Sequence, residues 1–311
     1  MRLARGRCAD DAIRPVWNLQ LLRLDRAGDT DASSCLGSSI RGISADPPLT
    51  RYTPPVEPVL MRHSHLFVVG MHRSGTSMIT RLLSLMGFYL GDPSEMLPPG
   101  PDNVTGFWER RDVLAVNDSL LSLNRCRWDQ VDEWGLAPQV TVPPAVSGRI
   151  ADILESLVQS PLSAMKDPRF CLTLGYWLPF AASPLILVVY RNPLDAAASL
   201  SARNGMSLAQ SLSLWESYSA SLLAVTDGHN RLAVSYESAL ADPLRFVREL
   251  QSSLARRNGN GLSSPPDGSI LDFVRQDGRR STHPRDWPLV LTERQLALAN
   301  AVARCSSPDW L

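Results

Sequence analysis

The residues Gly70-Met71-His72-Arg73-Ser74-Gly75-Thr76-Ser77 combine paired glycines, one guanidinium and a run of hydroxyls in a single short loop. A loop of this kind lets successive backbone N–H groups converge on one point, and that point suits a phosphate. Gly70 and Gly75 have the spacing of G-x-x-x-x-G-K-[ST], and Ser77 fits its last position, but Thr76 stands where that pattern has lysine. The basic residue is Arg73, inside the loop. Without the lysine, and with no acidic strand end to hold magnesium, hydrolysis of a nucleoside triphosphate is hard to build here. A terminal or diester-like phosphate bound without a metal is easier to accommodate.

A second set of cationic and hydroxyl groups lies further along. Arg191 is followed eight residues later by Ser199, and Arg203 is one helical turn beyond Ser199, on the same helix face. Two guanidiniums and a hydroxyl can grip one phosphate through charge-assisted bonds. Of the 31 Lys+Arg residues, Lys166 is the only lysine. In a chain that uses arginine everywhere else, it marks a place where a compact ammonium is not replaceable by a planar guanidinium.

The elements that must position these groups follow from periodicity. Leu66–Gly70 reads as a buried strand that runs into the loop, and apolar residues 78, 79, 82, 83, 85 and 86 recur at helical spacing up to a stop at Gly87. Further strands are expected at 162–166, 185–190 and 231–235. Pro168 stops Lys166 from lying within a helix, and puts it at a strand's C-terminal edge, where ligands sit in open α/β sheets. Asn192 can cap a helix whose first turn holds Pro193. Helices are expected at 146–158, 207–226, 243–256 and 292–303. The long Pro/Gly-rich loop at 92–103 has the length of a functional loop. The alternation predicts an α/β fold: a P-loop-type parallel sheet of four or five strands with helices on both faces, its functional groups along one edge.

The 311-residue chain has zero formal charge, so no overall field recruits nucleic acid. Its five cysteines are scattered, without a C-x-x-C pair, which argues against a structural zinc or a disulfide framework. Residues 1–60 lack sustained periodicity and read as a disordered extension before a domain at 61–311, with Met61 as an alternative start. No signal or membrane-anchor core is visible, so a cytoplasmic protein is expected. Asn103-Val104-Thr105 matches the glycosylation pattern by chance on this reading.

The loop 70–77 resembles the 5′-phosphosulfate-binding loop of sulfotransferases that use 3′-phosphoadenosine 5′-phosphosulfate (PAPS). It is most similar to the bacterial family and more distantly similar to protein-tyrosine and carbohydrate sulfotransferases. The Arg191/Ser199 spacing resembles the 3′-phosphate-binding element of the same enzymes, and Lys166-Asp167-Pro168 resembles the catalytic motif of the tyrosine-sulfating branch. Tyr236 and Glu237 resemble a Tyr-Glu element after a later strand, and Arg279, Arg280 and Arg285 lie where a loop closes over the nucleotide.

The resemblance implies PAPS as cosubstrate, no metal, and transfer of a sulfuryl group to an acceptor hydroxyl. Arg73, Ser74, Gly75, Thr76, Ser77, Arg191, Ser199, Arg203, Tyr236 and Arg280 would hold the nucleotide, and Lys166 and Arg73 would meet the charge that develops in transfer. His63, His65, His229 and His283 are poorly placed for a base, and a carboxylate is expected instead. Glu109, in Gly106-Phe107-Trp108-Glu109, matches the pattern of bacterial relatives, and Glu95 is the rival. A glycan or small-molecule acceptor is expected, with tyrosine open. The loop 92–110 and Trp128 through Trp134 are expected to line its site, and the oligomeric state is open. The alternatives are a P-loop kinase or nucleotide switch, and a noncatalytic module that binds the product nucleotide 3′-phosphoadenosine 5′-phosphate (PAP).

Overall fold

The computed structural model describes residues 64–101, 103–131, 141–158, 160–258, 262–277 and 290–306. All belong to the unit Thr53–Leu311. The expected 1–60 extension and the Met61 start lie outside the described residues.

Four strands, β1 (Ser64–Val69), β2 (Leu162–Lys166), β3 (Leu185–Tyr190) and β4 (Arg231–Ser235), form a parallel sheet in the order β2-β1-β3-β4. The strands β1 to β3 are near-continuous apolar runs because helices cover both of their faces, so neither face selects polar residues. Alternate side chains serve the two sides. Phe67, Val69, Met165, Ile186 and Val188 enter one core, and Leu66, Val68, Ala164, Leu187 and Val189 enter the other.

The first core is closed by α2 (Arg111–Leu123), α3 (Pro144–Leu157), α4 (Phe170–Trp177), α5 (Pro193–Asn204), α6 (Leu208–Val225) and α10 (Glu293–Ala303). Phe170 meets Phe67 and Trp177 edge-on, with ring centroids 5.5 and 5.3 Å apart. Such pairs contribute about 0.5–1.5 kcal/mol beyond the area they bury. The second core is closed by α1 (Thr76–Leu85), α7 (Tyr236–Ala241), α8 (Pro243–Asn258) and α9 (Asp267–Asp277).

Two expectations shift. Strand β1 begins at Ser64 and ends at Val69, whereas apolarity alone puts it at 66–70. Its first turn of pairing is polar yet buried: His65 Nδ1 lies 2.9 Å from Ser163 Oγ on β2. That partnership satisfies groups which a hydrophobic pattern excludes. The fifth strand is a single bridge, in which Tyr89 N donates to Leu162 O and Ala164 N to Tyr89 O, both at 2.9 Å, on the outer edge of β2.

The local signals hold at the helix ends. Gly87 follows α1 with φ +97°. Asn192 accepts from Leu194 N at 2.9 Å and Asp195 N at 3.4 Å, with Pro193 in the first turn. Pro144 also opens α3, two residues before the expected start. The described cysteines, Cys126, Cys171 and Cys305, are buried free thiols, and burial pushes the Cys171 and Cys305 thiols up.

Candidate active site

The loop after β1 turns sharply because two glycines admit close neighbours. A Cβ on Gly70 would lie 2.3 Å from the Val189 carbonyl oxygen of β3, and one on Gly75 would lie 2.2 Å from Cδ2 of Tyr236. Gly75 also has φ +91° and serves as the N-cap of α1, with no side chain capping that helix. The positive end of α1 is thus open toward the loop. Arg73 is left-handed as well, with φ +69°. Its carbonyl accepts from Arg191 Nη1 at 3.1 Å, which holds the turn in place.

The sheet edge brings the separate sequence elements into one cleft of about 550 Å³, open mouth included. Arg73, Gly75, Thr76, Ser77, Glu109, Lys166, Arg191, Arg203 and Tyr236 all line it. Arg73 Nε donates to Ser199 Oγ at 2.9 Å, so the β1 loop and helix α5 meet directly. The Arg191 guanidinium lies over the Tyr236 ring at 4.8 Å, and the Arg203 guanidinium over Phe107 at 5.8 Å. Ser74 is buried, its N–H donating to Met71 O at 3.1 Å within the turn. Glu237 accepts from Asn192 N and Ser235 Oγ, each at 2.8 Å, and so ties the ends of β3 and β4 together. Arg279, Arg280 and Arg285 lie outside the described residues, as does Trp134.

Lys166, at the end of β2, is 3% exposed. Its ammonium donates to Ser77 Oγ at 3.1 Å and to Glu109 Oε1 at 2.5 Å. Ser77 Oγ in turn donates to Phe107 O at 3.1 Å and accepts from Asn103 Nδ2 at 3.3 Å. One donor and two lone pairs are then all engaged. Burial pushes the Glu109 carboxyl up, opposed by the Lys166 ammonium beside it. Glu95 is elsewhere: it pairs with Arg110 at 3.2 Å and caps the turn at Asp92–Glu95. Of the two rival carboxylates, only Glu109 lines the cleft.

An acidic residue does follow a strand, contrary to the sequence reading. Asp167 comes directly after β2 and is fully buried, accepting from Arg169 N at 2.8 Å, Arg169 Nη1 at 3.1 Å and Asn117 Nδ2 at 3.1 Å. Asn117 Oδ1 accepts from Thr173 Oγ1 and Trp177 Nε1, which anchors α2 and α4 beneath the cleft. Among the described residues, no group of three or more His, Cys, Asp or Glu could hold a metal ion.

Sequence reasoning misses Asn103 and His72. Asn103 is 3% exposed and turns its amide inward onto Ser77, at odds with a surface glycan site. His72 lines the cleft, packed against Trp128 at 4.9 Å and Tyr218 at 5.5 Å. Its position next to Arg73 is the available signal. Burial, then Arg169, Arg203, Lys166 and Arg73, hold its imidazole well below the usual range.

No family model matches the chain, and no curated protein matches it. Among solved structures the chain is similar to a sulfotransferase domain from the olefin synthase of Synechococcus PCC 7002, at 16% identity and a TM-score of 0.45, over 80% of this chain and 96% of that one. A sulfotransferase domain from the curacin biosynthetic pathway gives 13% identity and a TM-score of 0.42, over 76% and 96%. A sulfotransferase of Mycobacterium tuberculosis H37Rv gives 14% and 0.30, over 78% and 72%.

Proposed function

We propose that this chain is a metal-independent sulfotransferase, which moves a sulfuryl group from PAPS to an acceptor hydroxyl and releases PAP. The observation that carries the reading is the bond from Arg73 Nε to Ser199 Oγ at 2.9 Å. It joins two anion-binding elements, from the ends of β1 and β3, in one cleft. A ligand with phosphates at two positions on one nucleoside suits such a cleft better than a single phosphate chain does.

The residues fit that ligand. The uncapped start of α1 and Arg73 offer positive ends to a 5′-phosphate, while Arg191, Ser199 and Arg203 offer a guanidinium–hydroxyl set to a 3′-phosphate. PAPS brings the sulfuryl group already activated by its bond to phosphate. Lys166 and Arg73 stabilise negative charge that grows on the sulfuryl and leaving oxygens, in a cleft where fixed charges count most. Ser77 and Glu109 fix the ammonium of Lys166 so that it need not reorganise during transfer.

A magnesium-dependent nucleotide switch is the second reading, which the position of Asp167 after β2 favours. Against it, both Asp167 oxygens bond to Arg169 and Asn117, and Ser77 Oγ is engaged by three neighbours. Titration calorimetry with PAP, ATP, and ATP plus magnesium separates the two. Tight binding of PAP without magnesium is expected, and magnesium-dependent ATP binding with no preference for a 3′-phosphate rejects the reading. For the acceptor, the neutral chain favours a glycan or small molecule over nucleic acid. Among the described residues no helix is long and apolar enough to cross a membrane, and a cytoplasmic location is part of the proposal.

A further inference from the structure

His72 has no role in the transfer described so far, yet it lines the cleft beside Lys166, Arg203 and Glu109. Its neighbour favours one protonation pattern. The Tyr218 hydroxyl donates to the Trp128 carbonyl at 2.7 Å, and a phenol has one hydrogen. Toward His72 Nε2, at 3.5 Å, that hydroxyl can therefore only accept. A hydrogen on Nε2 would serve this contact, and Nδ1 of the neutral ring would then keep a bare lone pair. Nδ1 has no hydrogen-bond partner among the described residues.

Glu109 is differently placed. Its Oε1 holds the Lys166 ammonium at 2.5 Å, with both side chains buried. Burial raises the carboxyl's proton affinity, yet a proton on it would cancel the charge that offsets the buried Lys166 ammonium. Resting on the sulfotransferase reading, we propose that His72 Nδ1 is the base that takes the acceptor's hydroxyl proton, while Glu109 holds Lys166.

The groups facing the ring explain when that base becomes effective. Arg73 lies in its own loop, Lys166 at the end of β2, Arg169 ahead of α4, Arg203 on α5, and Tyr218 on α6, with Glu109 in the same cleft. Four cations and burial keep the imidazole uncharged when the protein is alone. Phosphates bound among those cations offset them and raise the proton affinity of Nδ1. Donor binding thus prepares the base.

In the transfer step, the hydroxyl proton passes to Nδ1 and the hydroxyl oxygen's pair forms the new O–S bond. The S–O bond to the 5′-phosphate breaks, and its pair leaves on the phosphate oxygen, offset by Lys166 and Arg73. The imidazolium then returns its proton to solvent.

The test uses the full chain with ¹⁵N-labelled histidine, observed by NMR with and without saturating PAP. The His72 signal is identified by its loss in His72→Gln. A neutral ring with hydrogen on Nε2 is expected, with a titration midpoint that moves up when PAP binds and stays put with uncharged adenosine. Hydrogen on Nδ1, or a midpoint unmoved by bound PAP, overturns the proposal. With labelled PAPS and a panel of phenols and methyl glycosides, His72→Gln should lose about 10²–10⁴-fold in turnover and recover part of it with added imidazole. Loss without rescue while PAP still binds rejects the base role. If the wild-type chain does not bind PAP, the sulfotransferase reading itself fails.

Discussion

Arg191, at the end of β3, donates from Nη1 to the carbonyl of Arg73 at 3.1 Å, while its guanidinium lies over the Tyr236 ring. One side chain thus fixes the left-handed turn of the β1 loop and presents charge to the same cleft. Arg191→Ala should weaken PAP by about 1.5–3 kcal/mol, as for a lost hydrogen bond to a charged group, with a smaller effect on turnover at saturating PAPS. Calorimetry and initial rates check this. Unchanged PAP affinity would remove Arg191 from the nucleotide site.

Lys166 and Glu109 should respond unequally to removal of either partner. Lys166→Ala leaves a buried carboxylate without its ammonium and should cost about 3–5 kcal/mol in urea unfolding, with Glu109→Leu on top recovering much of it. Glu109→Gln keeps shape and hydrogen bonding, and should lower turnover by less than the loss of about 10²–10⁴-fold expected in His72→Gln. If Glu109→Gln is the more damaging of the two, the base assignment returns to Glu109.

Gly75→Ala tests the cradle. The new methyl meets the Tyr236 ring and the backbone has φ +91°, so both sterics and conformation oppose it. The left-handed term alone costs about 1–2 kcal/mol. Adding Tyr236→Ala should relieve the clash but not the backbone term, so PAP affinity and thermal midpoint recover only in part. Full recovery in the double variant would mean that the turn tolerates a side chain.

The pH dependence of stability has a definite sign. The native imidazole of His72 lies well below its ordinary value of 6.5, so its contribution is present above pH 6.5 and is lost as pH falls through the native value. Glu109 is raised above 4.5 and works oppositely, its contribution being lost as pH rises through the native value. Unfolding of wild type and His72→Gln from about pH 8 to about pH 5 isolates the histidine, because Glu109 is common to both. The wild type's advantage should shrink on acidification. An advantage independent of pH would contradict a buried neutral His72.

The strands β2, β3 and β4, the helical run of α1 after the loop and the Asn192 cap were legible in the sequence, because each depends on residues adjacent in the chain. The loop's glycines and the eight-residue step from Arg191 to Ser199 were legible for the same reason. Pairings across long separations were not. Nothing local says that His65 is matched by Ser163, that Glu109 meets Lys166, or that Asn103 turns inward onto Ser77. The sequence reading has no acidic strand end, and only the fold shows Asp167 after β2, occupied by Asn117 and Arg169. His72 is the sharpest case: its tautomer depends on a tyrosine on α6 and a carbonyl at Trp128, which only the packing of that helix against the loop brings together. Local propensity fixes where the chain turns, whereas desolvation and the partner each polar group finds across the fold decide its charge.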